Sequence, residues 1–151
     1  MSELKALEEW AGALLVKLEP KERRRINQSI ARDLRRSQQK RIRAQRNPDG
    51  TAYAPRKKAP QRTKSGRIKQ QAMFRKLGAA ARLKLASDSN SVGIGFMARN
   101  ARIARAHQYG LKDRPGRNSK SVQYAKRELL GFSDADLDLI RDKLIDHLSG
   151  L

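Results

Sequence analysis

The densest run of chemically active side chains lies between Lys21 and Arg46, where eleven lysines and arginines meet only two acids, Glu22 and Asp33. Like charges one helical turn apart repel, and two acids cannot neutralise so many bases by i,i+4 pairing. Phosphates, or the carboxylates of a partner, would relieve that repulsion. Guanidinium dominates the run and suits bidentate contact with either group better than ammonium does. The binding candidates here are Arg35, Arg36, Lys40, Arg41, Arg43 and Arg46; a second basic stretch adds Arg56, Lys57, Lys58, Arg62 and Lys64. The bland reading of such a run is a solvated helix face, but its density argues for a polyanionic partner. Aromatics are few, and no helix-turn-helix, zinc-finger or RNP-like pattern appears. Contact with DNA would therefore be non-specific, made to phosphates and sensitive to salt.

Other chemistry finds less support. His107 and His147 are 40 positions apart and lack the cysteine, HExxH or Glu-x-x-His partner of a metal site. His107, beside Gln108-Tyr109-Gly110, reads as a hydrogen-bonding member of a helix end. Asp134, Asp136, Asp138, Asp142 and Asp146 lack the glycine and bidentate glutamate of a calcium loop. They read as a solvated acidic helix face able to dock on a basic neighbour. Gly93-Ile94-Gly95-Phe96-Met97-Ala98 mimics a dinucleotide fingerprint, but the strand before it looks like half of a hairpin, so Gly93 and Gly95 read as backbone room in a strand. With no cysteine there is neither disulfide nor thiolate ligand. No nucleophile-elbow, Walker or kinase signature is present. The expectation is a non-enzyme without catalytic residue, metal or cofactor.

The elements that must position these side chains follow from periodicity. Residues 2–18 place Leu4, Leu7, Ala11, Leu14, Leu15 and Leu18 on one helical stripe. Pro20 suits the first turn of a second helix, which runs without glycine or proline to Arg46 until Asn47-Pro48-Asp49-Gly50 stops it. Its apolar stripe, Ile26, Ile30, Leu34 and Ile42, is thin, so its far half is expected to project or to meet a neighbour. From 47 to 71 the chain lacks periodicity and reads as an extended basic arm. Ala81, Leu83 and Leu85, then Val92, Ile94 and Phe96, alternate with polar residues around Ser87-Asp88-Ser89-Asn90, a hairpin at about 80–96. A short helix closes at Gly110, residues 123–130 suggest a third strand, and Ser133-Asp134-Ala135-Asp136 resembles a capping box opening a last helix.

The expected fold is α+β: a single domain over 1–151, with a small antiparallel sheet packed by N- and C-terminal helices. The long basic helix 20–46 and the arm 47–71 would be projecting elements. Charge is uneven along it. Residues 20–76 hold 20 Lys and Arg against 3 acids, whereas 1–19 and 133–151 are each net acidic. No apolar run approaches the roughly 20 residues that span a bilayer, and the opening residues do not read as a signal peptide, so a soluble, unprocessed chain without membrane contact is expected.

Taken in order, these residues resemble the phage virion morphogenesis family, which includes tail completion proteins of temperate contractile-tailed phages. The likeness rests on the basic helix leading to Arg46-Asn47-Pro48-Asp49-Gly50-Thr51-Ala52-Tyr53-Ala54-Pro55, on Met73-Phe74 and Leu77, and on the Val92-Gly93-Ile94-Gly95 strand. It continues through Ile103-Ala104 with Ala106-His107-Gln108-Tyr109-Gly110 and closes with Arg127-Glu128-Leu129-Leu130-Gly131. The resemblance implies a structural component of the virion tail or neck, assembled in the host cytoplasm. It implies a homo-oligomeric ring, a hexamer, that caps the tail, helps join it to the filled head and meets other neck, tube and sheath proteins. A basic nucleic-acid-binding protein of ribosomal or nucleoid type is the alternative that composition allows.

Overall fold

A computed structural model describes residues 2–56, 72–79 and 82–150. Among the described residues four helices surround two short antiparallel ladders, an α+β arrangement as expected. Helix α1 (Ser2–Lys17) turns through Leu18 and Glu19 into α2 (Pro20–Arg43), with Pro20 at the first turn where a missing N–H costs nothing. Strands β1 (Leu83–Ser87) and β2 (Val92–Phe96) pair with Leu83 opposite Phe96 and Ser87 opposite Val92. The hairpin turn is held by Asp88, whose carboxylate accepts from the N–H groups of Asn90 and Ser91 at 2.7 and 2.8 Å. Those bonds draw its pKa below the usual carboxylate value.

Helix α3 (Arg99–Tyr109) ends at Gly110, whose φ of 63° is left-handed. Leu111 N–H reaches Ala106 O at 2.8 Å, closing the reverse bond of a Schellman cap. A side chain at Gly110 would also meet the Lys126 backbone at 3.1 Å, so glycine is required twice over. Then come β3 (Lys112–Asp113), β4 (Val122–Gln123) and α4 (Asp134–Ser149). The capping box read from the sequence is present: Ser133 Oγ accepts from Asp136 N–H, and the Asp136 carboxylate accepts from Ser133 N–H.

The hairpin and α4 both pack on α2. Ile42, Tyr53, Leu77, Ala104 and Leu129 form the core, with Phe74 and Phe96 against it. Two expectations need correction. The far half of α2 does not project: Gln38 and Ile42 are among its buried residues, because Ile30, Leu34, Gln38 and Ile42 stack at i+4 along one narrow inward stripe. The segment 123–130 is not a third strand of the hairpin sheet. Only Gln123 is in a strand, paired with Lys112 in a separate ladder. Residues 127–131 are extended but are bonded by side chains, as described next. Most of the basic arm, residues 57–71, lies outside the described residues.

Candidate functional site

The motif residues converge on one knot around residues 127–131. Tyr53, buried, donates its hydroxyl to Glu128 O at 2.9 Å, and burial pushes its pKa up. Asn47 Oδ1 accepts from Glu128 N–H at 2.9 Å. The Gln108 amide accepts from Leu129 and Leu130 N–H at 2.8 and 2.9 Å and donates to Leu130 O at 2.8 Å. Gln38 donates to Gly131 O at 2.9 Å and to the Asp136 carboxylate at 3.2 Å; Ser37 also donates to Asp136. These side chains do what a neighbouring strand would do, satisfying a buried backbone that cannot reach a sheet. Side-chain amides bonding in this way leave no alternation in the sequence, which is why periodicity misread the segment.

Two arginines complete the knot. Arg127 is buried, with Nε on Ala54 O at 2.8 Å and Nη2 on Pro55 O at 3.0 Å, and burial draws its pKa down. Its Nη1 lies 3.5 Å from His107 Nδ1. A guanidinium only donates, so that contact requires a neutral imidazole with its proton on Nε2. Burial, then the Arg127 charge, lowers the His107 pKa to about 4. Tyr53, Phe74, His107 and Tyr124 form a run of ring contacts, with successive centroids 5.7, 4.7 and 4.5 Å apart. His107 is thus the hydrogen-bonding helix-end residue that its neighbours suggest.

Arg41 is the second, and it overturns its assignment as a partner-binding residue. Its guanidinium donates to Arg46 O and Glu128 O at 2.9 Å and to Leu129 O at 2.8 Å, so its charge is turned inward. Gln45 escaped the sequence reading altogether. It holds a left-handed φ of 58° just past α2, and its amide brackets Met73, donating to Met73 O at 2.8 Å and accepting from Met73 N–H at 2.7 Å. A polar residue where glycine usually ends a helix was the available signal. Pro48 packs on Gly131, where a Cβ would come within 2.5 Å of the proline ring. Asp49 accepts from Thr51, whose hydroxyl lowers its pKa most.

The remaining candidates divide by face. Arg36, Lys40 and Arg43 are exposed on the side of α2 opposite its buried stripe, and Arg25 and Arg32 extend the same outer line. From Arg25 to Arg43 that line spans roughly 27 Å at 1.5 Å per residue. Arg36 reaches Asp33 at 3.5 Å, but the same carboxylate holds Lys143 at 2.5 Å. Among the described residues no ion pair involves Arg25, Arg32, Lys40 or Arg43. The spacing 25, 32, 36, 43 was legible as a stripe, and Arg25 and Arg32 belong with the candidates. Arg35 is half-buried. Arg46 is exposed and donates to Gly50 O at 2.8 Å, stiffening the Asn47–Gly50 turn. Arg56 is exposed; Lys57, Lys58, Arg62 and Lys64 lie outside the described residues. Gly93 and Gly95 sit in β2, half of an antiparallel hairpin without a parallel βαβ unit, so the dinucleotide motif is a coincidence of spacing. Among the described residues no group of three or more His, Cys, Asp or Glu is placed to hold a metal ion, and no helix is long and apolar enough to cross a membrane. The arrangement is suited to a chain of salt-sensitive contacts with phosphates or carboxylates along one helix face.

The model of the phage virion morphogenesis family matches residues 2–149. The chain is 37% identical over 149 residues to tail completion protein S of Escherichia phage P2, covering 98% of this chain and 99% of that protein. No solved structure matches. Neither match supports the ribosomal or nucleoid alternative.

Proposed function

The chain belongs to the phage virion morphogenesis family, and from that premise we propose that it completes the phage tail as one subunit of a ring at the tail end, helping to join the tail to the DNA-filled head. The supporting observation is the end-to-end match with a protein named for tail completion, in which both chains are covered almost entirely. The geometry fits an assembly role. The motif residues Tyr53, His107, Gln108 and Arg127 are engaged inside the fold, and the outward α2 stripe is left with almost no acid of its own. That stripe meets polyanions, either DNA phosphates in the channel or acidic faces of neighbouring neck, tube and sheath proteins. The protein then resides in the virion and assigns itself no reaction.

The test is complementation of a phage lacking this gene. Supplying the unchanged chain restores infectious particles. Supplying Arg25/Arg32/Arg36/Arg43→Glu, with four exposed charges reversed, lowers the titre at least 100-fold and leaves separate heads and tails in electron micrographs. Full titre from the reversed chain would remove the stripe from the account.

A further inference from the structure

Among the described residues, helix α1 is covered only at one end. Ala11 and Leu14 are half-buried where α1 meets α4 and α2. Leu4, Leu7 and Trp10, on the same side of the helix, are 60%, 57% and 63% exposed. A stripe of large apolar residues at helical spacing is how an amphipathic helix anchors in a groove. Tryptophan is among the residue types richest in binding energy at interfaces.

Elsewhere the same chain carries a groove that no other described residue fills. A cleft of roughly 790 Å³ is lined by Leu34, Ile94, Phe96, Ala104 and Leu130, together with Phe132, and no residue of α1 lines it. Phe132 is 62% exposed there, a costly position for a phenyl ring in a solitary chain. Charge also matches. Arg105 lines the groove and is exposed, and Glu8 lies at the edge of the α1 stripe, one turn on from Leu4; among the described residues neither has an ion pair.

We propose that α1 of one copy lies in this groove of the next, with Leu4, Leu7 and Trp10 against its apolar lining and Glu8 beside Arg105. Helix and groove are different patches, so the contact is heterologous, the kind that builds a ring when its rotation closes. The inference rests on the multi-subunit reading above and names the surfaces that build it.

Trp10 is the single tryptophan of the chain, so its emission reports the contact directly. Light scattering and fluorescence are followed on dilution for the unchanged chain, for Leu7→Asp and for Phe132→Asp, with circular dichroism confirming that both variants fold. The unchanged chain should assemble, with emission shifting to the red as it dissociates. Each variant alone should be monomeric with red-shifted emission. Their equimolar mixture should give a one-to-one pair and nothing larger, because one intact helix and one intact groove remain. If the unchanged chain assembles and the variants assemble equally well, the groove contact is wrong and the ring survives. If the unchanged chain stays monomeric at every concentration, both fall. If only one variant is monomeric the contact joins like patches, and if both are monomeric yet fail to pair when mixed the helix does not meet the groove; either result overturns the proposal.

Discussion

Arg41 and Arg43 are two positions apart on α2 and have opposite fates. Arg41 is half-buried and donates to two backbone carbonyls of the knot and to Arg46 O; Arg43 is exposed on the outer line with no ion pair among the described residues. A rotation of roughly 200° separates them. Composition counts both as the same positive charge, yet one is a strut and the other is available to a partner. The difference teaches that a run of arginines is two objects at once, an inner set read by geometry and an outer set read by charge.

The largest effect that would sharpen this contrast belongs to the inner set. Arg127→Ala leaves Ala54 O and Pro55 O without their donors and removes the support beneath His107. A loss of about 3 kcal/mol is expected, since hydrogen bonds to charged groups contribute roughly 1.5–3 kcal/mol each. Thermal unfolding followed by circular dichroism should show a midpoint lower by roughly 10 °C for a chain of this size. A midpoint within 2 °C of the unchanged chain would mean that the knot is not where stability resides.

Next comes acid. His107 has a folded pKa of about 4 against an ordinary 6.5, so the unfolded chain binds the proton more readily between those values. The stability that neutral His107 contributes is complete above about pH 6.5 and is lost as pH falls toward 4, by on the order of 2–3 kcal/mol. Comparing midpoints at pH 7.5 and 4.5 for the unchanged chain and His107→Gln isolates this part, and the variant should lose less on acidification. Equal losses in the two would place the acid sensitivity elsewhere, for instance in carboxylates such as Asp88, whose pKa is lowered.

Much of this was legible in the sequence. The hairpin, the Gly110 stop and the Ser133 capping box each carry a local signature: alternation, a left-handed glycine and a serine three residues before an acid. The resemblance named Asn47, Tyr53, His107, Gln108 and Arg127 of the knot without saying what they do, and passed over Gln38 and Arg41. What stayed hidden is long-range. Nothing near residue 127 announces that its backbone partners would be Asn47, Gln108 and Gln38, since side-chain amides satisfy a strand without leaving a period of two. The thin stripe of α2 suggested a projecting helix because Gln38 counts as polar, whereas its amide is fully bonded inside the fold. The uncovered half of α1 looked like any core-facing helix, because periodicity tells which side is apolar and not what lies against it.

The smallest expected effect on stability is also the sharpest test. Reversing Arg25, Arg32, Arg36 and Arg43 together to glutamate should leave the thermal midpoint of the purified chain within about 2 °C of its original value, or above it, because exposed sites touch little and fewer like charges face one another. A fall comparable to that of Arg127→Ala would show that the outer line supports the fold itself, and the separation of α2 into an inner strut and an outer contact surface would fail.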